Sequence, residues 1–230
     1  MTTELHGISS MATRHVLAEW AAAYAAQGGV QVQVESVGGV DAAKRVAAGQ
    51  AFDWVALGEG AMQGLAQQGH VLAHTLVPVV ASPTAVAVAE HAAAPAIDSE
   101  DALREAVRAA PTLGYSTGPS GQALAALFAR WGLTELVAPK LVVPPPGVPV
   151  AQWVAQGRIA LGFQQRSELM GVPGVRVLGN LPAAVAITTI FSAAVARTCK
   201  QPEAAQAWLN FLVQPTHHDV LQRHGMNAAN

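Results

Sequence analysis

The chain has 230 residues, of which 51% are hydrophobic and only 12% charged, with a formal net charge of −2. That length holds one large domain or two small lobes. The composition excludes disorder, and the lack of any basic run excludes a nucleic-acid surface. Cys199 is the single cysteine, which rules out an intramolecular disulfide and a multi-cysteine metal site.

Read in order, residues 5–8 form a short strand, and Ser10 is placed as the N-cap of a helix over 11–26 with a buried stripe of Val16, Trp20 and Tyr24. Val30, Val32 and Val34 alternate as a second strand, a helix follows over 40–48, and the apolar run 52–57 reads as a buried parallel strand. A helix over 59–68 completes a β-α-β-α-β-α block, the pattern of a parallel sheet with covering helices. The texture changes near Val77-Pro78. An extended segment over 84–89, a helix from Ser99 through 110, a strand over 113–115 and a helix over 121–131 come next. A proline corner (Pro144-Pro145-Pro146-Gly147) precedes a short helix over 149–156, a strand over 159–163, and another over 175–178. The run 187–196 is extended, and helices over 202–213 and 216–224 close the chain. The apolar stretch 183–196 is broken by Thr188, Thr189 and Ser192 and is too short to cross a bilayer comfortably, so no membrane insertion is expected.

Three turns rich in glycine and hydroxyls stand out: Gly7-Ile8-Ser9-Ser10-Met11, Ser36-Val37-Gly38-Gly39, and Tyr115-Ser116-Thr117-Gly118-Pro119-Ser120-Gly121. Each follows a strand and precedes a helix. A helix start presents unpaired N–H groups and the positive end of the macrodipole. Neighbouring hydroxyls add donors, so such turns hold an anion without a lysine or arginine. Gly118-Pro119-Ser120-Gly121 is not a nucleotide P-loop, because no Gly-Lys-Ser/Thr follows.

The order of these motifs resembles the type II periplasmic-binding-protein fold, in particular the molybdate-binding proteins of ABC importers. Ile8-Ser9-Ser10 is similar to the family's first serine turn and Ser36-Val37-Gly38-Gly39 to its second, followed by Ala48-Gly49 and the strand at Asp53-Trp54-Val55. Gly162-Phe163-Gln164-Gln165 resembles the strand that brings a donor into the cleft, with Gln164 where the molybdate binders have a tyrosine. The third turn, the string Val154-Ala155-Gln156-Gly157, and the run from Leu161 to Leu169 resemble a branch that includes aconitate isomerase. The resemblance implies an α/β, two-lobed fold, with mixed sheets flanked by helices and a hinge of crossing strands. Lobe I is expected over 1–80 plus 190–230 and lobe II over 81–189. It implies a small oxyanion or carboxylate in a cleft between the lobes, or an aconitate-isomerase-like proton transfer on a di- or tricarboxylate.

The expected ligand-binding set is Ser9, Ser10, Met11, Ser36, Gly38, Gly39, Ser116, Thr117, Ser120, Gly147, Val148, Gln164 and Gln165. Gly38-Gly39 serve either a tight turn or close ligand approach, and the Pro146, Gly147, Val148 corner either offers N–H groups or only turns the chain. One of the two glutamines faces the cleft and the other ties loops together. Arg14 either reaches an anion or is solvated; Lys44 and Arg45 read as a solvated face. His217, His218 and His224 lack supporting ligands, so no metal is expected, and no cofactor. No nucleophile elbow is present, and no close carboxylate pair sits at a cleft-facing strand end. For proton abstraction the weak base candidates are Glu59, His6 and Glu168, and the catalytic residue is left open. Met1-Thr2-Thr3-Glu4 runs into the first strand without a leader, which places the sequence as it stands in the cytoplasm, or in the periplasm where a leader has been removed. An ABC permease is the expected partner of an exported form.

Overall fold

Valine- and leucine-rich runs build the first layer. In the computed structural model, which describes residues 4–145 and 147–229 and, of His218, the backbone alone, β1 (Glu4–Ser10) lies between β2 (Gln31–Val37) and β3 (Trp54–Gly58). Both pairings are parallel, with Ser9 opposite Ser36 on one side and Ala56 on the other. The readings placed on Met1, Thr2, Thr3, Pro146 and the His218 side chain lie outside the described residues. Parallel neighbours need crossover connections; α1 (Arg14–Ala26) and α2 (Gly39–Ala47) supply them, and α3 (Glu59–Gln67) follows β3. A 3-10 turn, Met11–Thr13, leads into α1, so that helix begins later than expected. Gly7 is needed for packing: a Cβ there would lie 2.0 Å from the Trp54 ring.

Next comes β4 (Val77–Ala89), much longer than the 84–89 segment read from the sequence. Pro78 does not break it, because proline is tolerated near a strand's first residue. It is followed by α4 (Glu100–Ala109), β5 (Leu113–Tyr115), α5 (Pro119–Arg130), α6 (Thr134–Val137), α7 (Val150–Ala155), β6 (Leu161–Gln165), α8 (Arg166–Leu169), β7 (Val175–Asn180) and β8 (Thr188–Val195). Ser99, read as the first residue of this helix, is its N-cap, its hydroxyl accepting from the Ala102 N–H at 3.2 Å. The chain closes with α9 (Pro202–Leu212), α10 (His218–Arg223) and β9 (Asn227–Ala228).

Contacts divide the chain into two compact units, Met1–Ala81 with Ile190–Asn230, and Ser82–Thr189. Both divisions fall inside strands, β4 and β8. In the first unit β8 pairs antiparallel with β3, and β9 pairs with the start of β4. Its core joins Trp20, Trp54 and Trp208, all fully buried. In the second unit β5 lies parallel to β6, β6 antiparallel to β4, and β7 antiparallel to the other edge of β4 with a bulge between Val86 and Ala87. There α4 and α5 cover a core that includes Leu103, Leu124, Phe128 and Phe163. Phe128 meets Phe163 edge-on at 5.9 Å. This mixed α/β pattern is the one the sequence implied. Among the described residues no helix is long and apolar enough to cross a membrane.

Candidate functional site

In the first unit the carboxyl ends of β1, β2 and β3 lie side by side, and each runs directly into a helix start. This is the edge at which α/β sheets bind ligands. Ser9, Ser10, Met11, Ser36, Gly38 and Gly39 are brought together there. The Ser9 and Ser36 hydroxyl oxygens are 2.8 Å apart, and Ser9 Oγ also reaches the Ser10 carbonyl at 3.3 Å. Ser10 was placed as an N-cap, but its side chain makes no capping bond. Its hydroxyl is buried and has no hydrogen-bond partner among the described residues. Leaving such a group unpaired costs roughly 1–3 kcal/mol. Ser10 stands against the start of α2, where a Cβ on Gly39 would come within 3.8 Å of its own Cβ. That is ordinary van der Waals contact, so the start of α2 is packed directly against Ser10.

The second unit repeats the arrangement. Ser116 and Ser120 share a contact of 3.3 Å between hydroxyl oxygens at the start of α5, with Thr117 exposed beside them. Gly121 is indispensable, since a Cβ would fall 1.7 Å from the Ser116 carbonyl oxygen. Pro119 occupies the first turn, where its missing N–H is not needed. The two glutamines divide by strand alternation. Gln164 is fully engaged: its Oε1 accepts from the Ala151 N–H at 3.2 Å, capping α7, and its Nε2 donates to Glu168 at 2.8 Å. Gln165 points to the opposite face, where Nε2 donates to Thr189 Oγ1 at 2.7 Å and Oε1 has no partner among the described residues. Gly147 adopts a φ of +84°, and the Val148 N–H donates to the Pro145 carbonyl at 3.0 Å, so that amide closes its own turn.

Other polar groups named from the sequence have local roles. His6 lies 3.9 Å from Glu35, which takes both terminal nitrogens of Arg45. That guanidinium holds the Glu35 carboxyl below its usual range. Arg14 donates to His15 at 2.9 Å. His217 bonds the Phe211 carbonyl and His224 bonds Glu19. Glu59 is exposed at the first position of α3. Among the described residues no group of three metal-ligating side chains occurs.

Sequence reasoning passed over three residues. Ser82 and Thr84 are buried on β4 with hydroxyls that have no partner among the described residues, and Thr189 is buried against Gln165. The available signal was the valine face of β4, residues 80, 82, 84, 86 and 88, which is interrupted by these two hydroxyls.

Residues 5–227 match the family model described as bacterial extracellular solute-binding protein. An aconitate isomerase from Pseudomonas sp is 31% identical over 97% of this chain and 87% of its own length. The periplasmic molybdate-binding protein of Azotobacter vinelandii superposes with a TM-score of 0.82 at 16% identity, covering 98% of this chain and all of that one. The sulfate-binding protein SubI from Mycobacterium tuberculosis H37Rv gives 0.77 at 17% identity, covering 99% of this chain and 88% of that chain. These two likenesses concern the fold.

Proposed function

We propose that this chain, which belongs to the bacterial extracellular solute-binding proteins, binds a small oxyanion or carboxylate with its hydroxyl-rich turns. The observation that carries this reading is Ser10: a buried, unpartnered hydroxyl at the carboxyl edge of parallel strands, against the positive end of α2. An anion oxygen supplies the acceptor that Ser10 lacks. Ser36 offers a second donor through its contact with Ser9; in the second unit the turn at Ser116, Thr117 and Ser120 carries a hydroxyl set of its own. All are neutral, so selectivity rests on geometry rather than on net charge.

The family's extracellular designation favours work in the periplasm over the cytoplasm, with an ABC permease as the receiving partner. Fractionation of cells expressing the full-length gene product tests the location. Thermal-shift screening against molybdate, tungstate, sulfate and di- and tricarboxylates tests the binding, because a ligand that prefers the folded state raises the unfolding temperature. Stabilisation by none of them overturns the reading.

A second reading is favoured by the aconitate isomerase relative, whose identity extends over nearly the whole chain. Here the serine turns of the first unit hold a carboxylate of the acid and stabilise the charge that develops as a proton leaves carbon. Glu59, which follows β3 at the same sheet edge, is the base this reading assigns. A proton-NMR time course with trans-aconitate tests it; an unchanged spectrum removes the isomerase.

A further inference from the structure

Along β4, Val80, Ser82, Thr84, Val86 and Val88 share one face, because side chains alternate along a strand. Val86 pairs with Phe163 and Thr84 with Gln165 across to β6. The main chain of Thr84 is engaged elsewhere: its N–H donates to Ile187 and its carbonyl accepts from Leu181. Thr84 and Gln165 therefore form a non-hydrogen-bonded pair, the closer of the two antiparallel pair types for side chains. The face changes from apolar to polar within one residue pair. On the polar side stand the Ser82 hydroxyl, the Thr84 hydroxyl and Gln165 Oε1, all buried and all without a partner among the described residues.

Helix α5 packs on this same face, with Leu124 and Phe128 in one cluster with Val86 and Phe163. Ser120, one turn before Leu124 on the same stripe, is buried as well. The start of α5 thus lies at the polar end of the face. Thr189 makes Gln165 adaptable. A hydroxyl both donates and accepts, and an amide presents either edge once turned over. With the Thr189 O–H donating to Oε1, Gln165 turns Nε2 outward as a donor. With the arrangement seen here, it offers Oε1 to a hydroxyl.

We propose that Ser82, Thr84 and Gln165, backed by Thr189, form a carboxylate-receiving subsite of the second unit at the start of α5. It rests on the reading of the protein as an anion binder and narrows it. The subsite takes one carboxylate of a small organic acid, with Ser82 and Thr84 donating to its oxygens and Gln165 reading the adjoining oxygen, whether carboxylate or hydroxyl. A purely structural role, with the hydroxyls held by buried water, differs from this one in what their removal does.

The test is calorimetric titration of the wild type, Ser82→Ala, Thr84→Val and Thr84→Ser with malate, citrate, trans-aconitate, sulfate and molybdate, alongside melting of each ligand-free protein. The expected result is an organic acid that binds the wild type, about tenfold weaker binding to Ser82→Ala and Thr84→Val, recovery of binding in Thr84→Ser, and ligand-free melting temperatures of Ser82→Ala and Thr84→Val that do not fall. Unchanged affinity in both hydroxyl-deleted variants overturns the subsite, as does a fall in the ligand-free melting temperature of either without a fall in its affinity, or a Thr84→Ser protein that binds like Thr84→Val. Binding of sulfate or molybdate with no organic acid overturns the subsite and leaves the anion reading standing. Binding of nothing overturns both.

Discussion

Ser9 and Ser36, 27 residues apart, face each other across β1 and β2 with their hydroxyl oxygens 2.8 Å apart. The strand register places them opposite one another. Of their two hydroxyl protons only one can lie between the two oxygens. When Ser9 donates to Ser36, the Ser36 proton is free for a ligand. The longer, 3.3 Å contact from Ser9 to the Ser10 carbonyl is the competing state. An anion selects the first arrangement, so the pair acts as one relay. Ser9→Ala and Ser36→Ala should each weaken anion binding about tenfold. The double variant should be far less than a hundredfold weaker, because residues in one network are not additive. Calorimetric titration of the three proteins checks this.

Gly121→Ala should destabilise the protein by about 1–3 kcal/mol, the cost of forcing atoms into a packed site. The added methyl would meet the Ser116 carbonyl oxygen at 1.7 Å, and backbone cannot swing aside as a side chain does. Urea unfolding of the variant against the wild type measures the loss.

Much of the fold was legible in the sequence because short apolar runs and glycine stops mark strands and helices locally. The strand over 113–115 was read with its observed limits. The first part of β4 was not, because its pairing partner, β9, lies almost 150 residues away and leaves no local signal. The short helices α6 and α8 carry too few turns to show a period. At the site, Ser9 and Ser36 were conspicuous as serines at strand ends. The division of labour between Gln164 and Gln165 was not readable, since both end the same strand and a one-residue shift exchanges their faces. Ser82 and Thr84 were hidden in an apolar strand, where only their unpaired hydroxyls set them apart.

Stability should fall with acidification in two stages, both within the first unit. Burial, then the charges of Arg14 and His224, lower the His15 pKa from 6.5, so the folded state favours the neutral ring. That contribution is present above about pH 6.5 and is lost as pH falls through the lowered folded value. Glu19 accepts from His224 and pairs with Arg223, which holds its carboxyl below 4.5. Its contribution is present above about pH 4.5 and is lost below it, as pH falls through the folded value. His15→Gln should flatten the first stage and leave the second. Urea unfolding between pH 7.5 and 4 tests both.

The thiol of Cys199 is pushed up to about 11, chiefly by burial, with the Asp53 carboxylate adding to the effect. Thiolate is the reactive form, so iodoacetamide at pH 8 should modify the folded protein slowly and the urea-unfolded protein rapidly. Mass spectrometry over a time course follows the difference. Fast modification of the folded state would contradict the assigned environment.

The central claim is that a hydroxyl left unpaired in the fold is completed by an anion. Calorimetric titration of wild type and Ser10→Ala with the anion that gives the largest thermal shift tests it most directly. The expected outcome is roughly tenfold or greater weakening in Ser10→Ala, with a ligand-free protein at least as stable as the wild type. Equal affinities for the two proteins would contradict the claim.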